Sequence, residues 1–143
     1  MSQRFVLTLA TILAATGLSG CSDRGAAVAV HKTVGTITFE NRPITGAFVV
    51  LHPQGECLPA VPKPRALVQS DGSFVATTYE ADDGAPAGEY VVTVELPAVA
   101  EVDGEYVRSA NLLPLRYASE ATSGLTVQVT PGENTLPPIA LRR

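Results

Sequence analysis

The chain has 143 residues, 45% of them hydrophobic, and a formal net charge of −4 at pH 7. A mildly acidic chain lacks the basic surface that binding to nucleic acid or another anionic polymer requires. Its length suits one domain with a proper hydrophobic core and is too short for two.

The first twenty residues have the layout of a secretory signal peptide. Arg4 is their only cation, an apolar run covers residues 5–15, and small residues follow. The run is shorter than the roughly 20 apolar residues that a helix needs to cross a bilayer. We therefore expect the segment to direct export and not to span the membrane.

Residues 18–21, Leu-Ser-Gly-Cys, resemble the lipobox of bacterial lipoproteins. The resemblance implies cleavage between Gly20 and Cys21, lipid attachment to Cys21 and anchoring in the cell envelope, since two acyl chains hold a protein stably on a membrane. Ser22 favours the outer over the inner membrane, by resemblance to the sorting rule of Gram-negative bacteria. The alternative is an ordinary signal peptide, which would leave Cys21 free to pair with Cys57, the other cysteine.

The sequence predicts three parts: a signal peptide over 1–20, a lipidated tether over 21–31 and one domain over 32–143. The tether is small, polar at its start and without periodicity. From Lys32 onward apolar residues recur with period two and turn signals interrupt them, which is typical of an all-β sandwich.

The first half of this domain contains three informative segments. Residues 33–39 alternate, with Ile37 and Phe39 on one face, and residues 46–53 are apolar on both faces, which predicts a central strand. Asp71-Gly72 is a tight-turn signal, and we expect it to join residues 67–69 and 74–78 in a hairpin.

Residues 90–95 and 125–130 largely alternate between apolar and polar side chains in the same way, and a short strand with Ile139 and Leu141 closes the core. The apolar residues expected to point inward are Tyr90, Val92, Val94, Leu125, Val127 and Val129. Residues 97–116 are long for a structureless connection, so they form either a functional loop or a hidden strand.

Three stretches carry a family resemblance: VGTITFENRPITGAFVVLHP, SDGSFVATTYEADDGAPAGEYVVTV and LPLRYASEATSGLTVQVTPGEN. They are similar to small lipoproteins of planctomycete-type bacteria described as carboxypeptidase regulatory-like or transthyretin-like. The resemblance implies a seven-stranded Greek-key sandwich of the prealbumin type, related to immunoglobulin-like folds. It also implies a module without catalytic residues.

The sequence contains no catalytic signature that we recognise, and we expect no enzyme and no cofactor. A Gly-x-Ser-x-Gly elbow is missing, and a small hydrolase would have to depend on His52, which lies at the end of a strand. His52, Glu56 and Cys57 could supply metal ligands. One such cluster without a second is more typical of a strand-to-loop junction, so no metal site is predicted.

Two segments are candidates for ligand binding. Asp82 and Asp83 share a loop with Glu80, where oxygen ligands could hold calcium, and Tyr106 is an aromatic residue available to a glycan. The favoured interpretation is nevertheless a membrane-anchored domain that binds or organises a protein partner in the envelope. A carbohydrate- or calcium-binding module is the alternative.

Overall fold

The structure, a computed structural model, describes residues 27–55 and 61–143. This part of the chain is nearly all β, as predicted. Its strands are β1 (Val30–His31), β2 (Thr33–Phe39), β3 (Arg42–Pro43), β4 (Phe48–Pro53), β5 (Arg65–Leu67), β6 (Ser73–Val75), β7 (Ala85–Pro86), β8 (Gly88–Glu95), β9 (Pro97–Val102), β10 (Glu105–Asn111), β11 (Thr126–Val129), β12 (Asn134–Thr135) and β13 (Ile139–Leu141). A 3₁₀ helix, Leu115–Ala118, precedes β11.

Two sheets form the body of the domain. The first has the strand order β11-β8-β4-β5, and all its neighbours are antiparallel. The second is built around β2, which pairs with β3 and β6 in antiparallel fashion and with β12 and β13 in parallel fashion. Outside these sheets, β1 pairs with β7 and β9 pairs with β10.

The core lies where the inner faces of the two sheets contribute to one apolar cluster, an arrangement consistent with a β-sandwich. Ile37 from the second sheet and Val49, Leu51, Val92 and Val94 from the first are fully buried. All the residues predicted to point inward belong to this cluster or pack against it. The prediction that β4 is a central strand is confirmed, because β8 and β5 flank it.

The predicted hairpin around Asp71-Gly72 is confirmed in part. The turn itself is present: Asp71 Oδ1 accepts hydrogen bonds from the backbone N–H of Ser73 at 2.9 Å and from its hydroxyl at 2.6 Å. The two flanking segments also hydrogen-bond to each other, through the N–H of Gln69 to the Ser73 carbonyl at 2.8 Å and through the antiparallel bridge between Arg65 and Thr77. However, the continuous ladders of these strands run elsewhere, because β5 pairs with β4 and β6 pairs with β2. The turn residues determine the chain reversal, whereas burial of the apolar faces determines which sheet each strand joins.

The N-terminal end of the described chain is part of the fold. Val30 and His31, assigned to the tether by the sequence, pair with Pro86 and Ala85, and the N–H of Val28 donates to the Tyr79 hydroxyl at 3.2 Å. The predicted signal peptide, Cys21 and Cys57 lie outside the described residues. Within 27–55 and 61–143, no helix has the length and apolar character to cross a bilayer.

Candidate functional site

The segment 97–116 contains two strands and the start of the 3₁₀ helix, so the hidden-strand alternative is confirmed. Asp103 and Gly104 join β9 to β10, and both have positive φ angles, +53° and +83°. Two such residues make the tight turn whose twist matches that of a hairpin. All residues from Val99 to Ala110 are exposed, so the β9–β10 hairpin projects from the sandwich.

This hairpin and the residues just after it concentrate the exposed apolar surface. Of the eight large hydrophobic side chains that are exposed in the described chain, six lie here. They are Val99, Val102, Tyr106, Val107, Leu112 and Leu115. Tyr106 is 79% exposed, which is unusual for an aromatic ring in a folded domain. Because cross-strand partners share a face, Val99 and Tyr106 lie on one face of the hairpin, and Val102 and Val107 lie on the other. Clustered exposed apolar side chains typically mark an interaction site.

The tip of the hairpin is acidic. Glu101, Asp103 and Glu105 follow one another on alternate residues, with no Lys or Arg among residues 97–107. The next cation, Arg108, lies 4.7 Å from the centroid of the Phe48 ring, in a cation–π contact with the body of the domain. The hairpin therefore presents apolar side chains together with negative charge.

Hydrogen bonds fix the base of the hairpin. The Asn111 side-chain oxygen accepts the backbone N–H groups of Leu96 at 2.9 Å and Leu113 at 3.1 Å. The N–H of Leu112 donates to the Leu96 carbonyl at 2.8 Å. These bonds hold both ends of the hairpin against the end of β8, so its orientation on the sandwich is set at its base.

Asp83, one of the predicted ligand residues, uses its carboxylate on the protein backbone. It accepts the N–H groups of Thr78 at 2.7 Å, Tyr79 at 2.9 Å and Glu80 at 3.0 Å. Burial opposes its ionisation, but these bonds outweigh that effect and lower the pKa of Asp83. Its neighbour Asp82 has φ +60°. The geometry is that of a side-chain-stabilised turn, and both carboxylate oxygens of Asp83 are engaged.

Asp82 and Tyr106 do not form one site. The loop of Asp82 leads into β7 and the first end of β8, whereas Tyr106 lies on the hairpin that follows the other end of β8. Eight residues of extended strand separate these ends, or about 26 Å at ~3.3 Å per residue. Across the described ranges, no three His, Cys, Asp or Glu side chains come together in a way that could hold a metal ion.

The structure joins His52 to residues that are distant in sequence. Its Nε2 lies 2.8 Å from Thr93 Oγ1 and its Nδ1 lies 2.5 Å from Glu120 Oε1. Lys63 Nζ is 3.1 Å from the same Glu120 oxygen and 2.9 Å from His52 Nδ1. In neutral His52, an N–H at Nδ1 donates to Glu120 while Nε2 accepts the hydroxyl proton of Thr93.

Charge and burial determine the protonation of this cluster. Burial, followed by the nearby Lys63 ammonium, lowers the pKa of His52, and the opposing effect of Glu120 is smaller. The hydrogen bond from Lys63 is the main reason that the pKa of Glu120 is lowered. The cluster therefore favours neutral His52 between an ionised Glu120 and the Thr93 hydroxyl.

An acid, an imidazole and a hydroxyl in this order resemble a hydrolytic triad. However, Thr93 is only 5% exposed, so its hydroxyl is shielded from an external carbonyl. The cluster instead ties Lys63 and Glu120, both outside the strands, to the middle of the first sheet. Sequence reasoning grouped His52 only with its neighbours Glu56 and Cys57 and missed this cluster, because Thr93 and Glu120 carry no local signal for it.

A groove of about 430 Å³ lies at the edge of the first sheet. Residues of β8 and β11 line it together with Gln54 and Pro137. Sequence reasoning missed the groove as well, since it depends on the side-by-side placement of segments that are far apart in the chain.

No protein-family model matches the chain, and no curated protein is significantly similar to it in sequence. Among solved structures, a candidate carbohydrate-binding protein from Pseudomonas aeruginosa has a TM-score of 0.39 and 16% identity, covering 81% of this chain and 90% of that one. A DUF3823 family protein from Parabacteroides merdae has a TM-score of 0.42 and 15% identity, covering 81% and 46%. A 9R-lipoxygenase from Cyanothece has a TM-score of 0.41 and 13% identity, covering 79% and 16%. Likenesses at this level leave the function to be argued from the geometry.

We expect Asp83→Asn to reduce the free energy of unfolding at pH 7 by about 1–2 kcal/mol, because the three N–H donors lose a charged acceptor. Asp82→Asn is the matched control and should change it by less than about 0.5 kcal/mol. Since the folded-state pKa of Asp83 is lowered, its contribution is present above the unfolded pKa of ~3.9 and is lost as the pH falls through the folded value. Urea unfolding at pH 7 and pH 3 measures both effects, and equal losses in the two variants would contradict the assignment.

The His52 cluster predicts a pH dependence of stability. Because the folded-state pKa of His52 is lowered, the unfolded chain binds more protons as the pH falls below ~6.5, and stability decreases with a slope of at most about 1.4 kcal/mol per pH unit. His52→Gln should flatten this decrease, measured as the thermal midpoint between pH 7.5 and 5.5. His31→Gln, with His52 intact, should keep it. A wild-type slope in His52→Gln would be evidence against the assignment.

Proposed function

We propose that this protein is a lipid-anchored, non-catalytic module of the cell envelope that binds a protein partner through its β9–β10 hairpin. The observation that carries the proposal is the concentration of exposed apolar side chains on a hairpin that projects from the domain. The signal-peptide layout and the lipobox-like residues 18–21 support export and anchoring through Cys21.

The placement of the hairpin suits a tethered module. β1, formed by the last residues of the proposed tether, pairs with β7, and β7 leads into the start of β8. The hairpin begins at Pro97, just after the end of β8. The anchored end and the hairpin therefore lie at opposite ends of a strand about 26 Å long. A lipid at Cys21 would leave the hairpin on the side of the domain that faces away from the membrane.

The chemistry of the hairpin describes its partner. Val99 and Tyr106, which lie on the same face of the hairpin, would enter an apolar groove. The acidic tip formed by Glu101, Asp103 and Glu105 would meet Lys or Arg at the rim of that groove. Apolar contacts supply most of the affinity of such interfaces, and complementary charge supplies specificity and faster association. A glycan- or calcium-binding module using Asp82 and Tyr106 together is less favoured, because these residues are at opposite ends of β8.

The proposed architecture is the seven-stranded Greek-key sandwich of the prealbumin type, and the proposed relatives are the carboxypeptidase regulatory-like lipoproteins. The nearly all-β structure and its two sheets support this proposal at the level of fold class. The shielded hydroxyl of Thr93 supports the proposal that the module is not an enzyme.

A photo-crosslinking amino acid at position 106 tests the hairpin as the partner site. In the native bacterium, we expect one discrete crosslinked protein, whose yield falls at least about fivefold in a Val99→Ser background, since the apolar contact on the face of Tyr106 is lost. The same amino acid at Leu67, which is 50% exposed on another strand, is the control and should give no such product. Equal products from both positions, or none from position 106, would contradict the proposal.

The mass of the N-terminal peptide of the protein purified from bacterial membranes tests the anchor. We expect an acylated peptide that begins at Cys21, because lipid attachment precedes cleavage in proteins with a lipobox. Cys21→Ser should move the protein out of the membrane fraction. An unmodified Cys21, or a disulfide between Cys21 and Cys57, would refute the anchor without bearing on the hairpin.

A further inference from the structure

The outer edge of the first sheet exposes backbone hydrogen-bonding groups of β11. Thr126 and Gln128 lie opposite Val91 and Glu89 of β8, while the N–H of Val92 donates to the Leu125 carbonyl at 2.8 Å. In an antiparallel pair, residues that exchange hydrogen bonds alternate with residues that do not. Leu125, Val127 and Val129 therefore bond to β8, and the N–H and C=O groups of Thr126 and Gln128 point away from it.

The hydrogen bonds on the other side of β8 agree with this assignment. The N–H of Gln54 donates to the Glu89 carbonyl at 2.8 Å, so the backbone of Glu89 faces β4 and not β11. Among the residues that the structure describes, no group donates to or accepts from the outward backbone atoms of Thr126 and Gln128. Thr126 and Gln128 thus each present a free N–H and a free C=O at this edge. The two residues are about 7 Å apart, which is the two-residue repeat of an extended strand.

The groove of about 430 Å³ wraps this same edge. On the side of the core the groove is lined by Tyr90, Val127 and Pro137. Their apolar atoms form a binding site for a hydrophobic side chain. On its other side, Gln54, Glu89 and Gln128 form a polar row across three neighbouring strand positions. Among the lining residues that belong to the described part of the chain, Glu89 is the only charged one.

We propose that this groove binds an extended, basic segment of a second protein, which adds to the first sheet as a strand next to β11. The backbone of the segment would pair with Thr126 and Gln128, one apolar side chain would enter the groove, and a Lys or Arg would lie near Glu89. This site is distinct from the hairpin and goes beyond the proposed function. With both sites occupied, the module would hold two proteins at once.

Three observations favour this occupant over others. The free N–H and C=O groups have the spacing of a strand, which a glycan does not reproduce, and main-chain pairing supplies the affinity in strand addition. The groove is lined by both apolar and polar side chains, as alternate residues of an added strand require. Finally, Glu89 and the net charge of −4 favour a basic segment over a second copy of this chain.

The test is titration of the ¹⁵N-labelled protein with the capped peptide Ser-Val-Lys-Val-Thr-Val-Ser, followed by amide chemical shifts. We expect saturable shifts that are largest at Thr126 and Gln128. The same peptide with Glu in place of Lys should bind about tenfold more weakly, a difference of ~1.4 kcal/mol. In Glu89→Gln the two peptides should bind within about threefold of each other, since the charge that distinguishes them is gone.

Gln128→Pro removes one outward N–H without removing a bond to β8, and an edge strand tolerates proline at such a position. The amide spectrum reports whether the variant is folded, and we expect it to lose peptide binding by at least about tenfold. Should that variant fail to fold, Glu89→Gln still decides the charge preference. Tyr106→Ser should bind the peptide as the wild type does, which separates this site from the hairpin.

The other outcomes overturn the proposal. These are the absence of shifts at millimolar peptide, shifts confined to other strands, and shifts at Thr126 and Gln128 that appear with chitotetraose but not with the peptide. Shifts at this edge that depend on protein concentration in the absence of peptide would assign it to a second copy of the chain. None of these results would affect the crosslinking test of the hairpin.

Discussion

The central strand β8 is the element on which the other features depend. β4 and β11 pair with it on either side, and its inward residues Val92 and Val94 are fully buried. Because side chains alternate along a strand, a shift of one residue would move this apolar set to the outer face and bring the outer residues into the core. Burial of Val92 and Val94 therefore fixes the register that places Thr93 beside His52 and Glu89 beside Gln128.

How much of the structure could be predicted follows from this constraint. Alternation identified the strands and their inward faces, and continuous apolarity identified β4 as central, because both patterns are local consequences of burial. The pairing partners of β5 and β6 could not be derived in this way. Asp71 and Gly72 specify a reversal whether or not the flanking strands join the same sheet, and no local pattern distinguishes the two results.

The candidate sites were harder to predict, because composition does not reveal which carboxylates are free. Asp83 looks like a metal ligand in the sequence, yet it binds three backbone N–H groups of its own loop. Glu120 looks like an isolated surface charge, yet it contacts Lys63 and His52. The acidic residues of the hairpin tip have no comparable cationic neighbour in their own segment. Short polar side chains in loops often satisfy local backbone groups, so a loop carboxylate alone is weak evidence for a ligand site.

An exposed hairpin with apolar side chains and free strand edges is ordinarily a liability, since it invites pairing with other chains. Here Glu101, Asp103 and Glu105 place like charges at its tip, and two hairpins that approached each other through their tips would bring six carboxylates together. This repulsion opposes self-association, while it attracts a partner with a basic rim. The groove at β11 also combines negative charge with apolar surface and a strand edge, since Glu89 lies beside apolar lining residues and free backbone groups. In both places a negative charge lies beside exposed apolar surface and an unpaired strand edge. Like-charge repulsion there disfavours pairing with a second copy of the acidic domain, while a basic partner is still attracted, so both surfaces can stay exposed and remain selective.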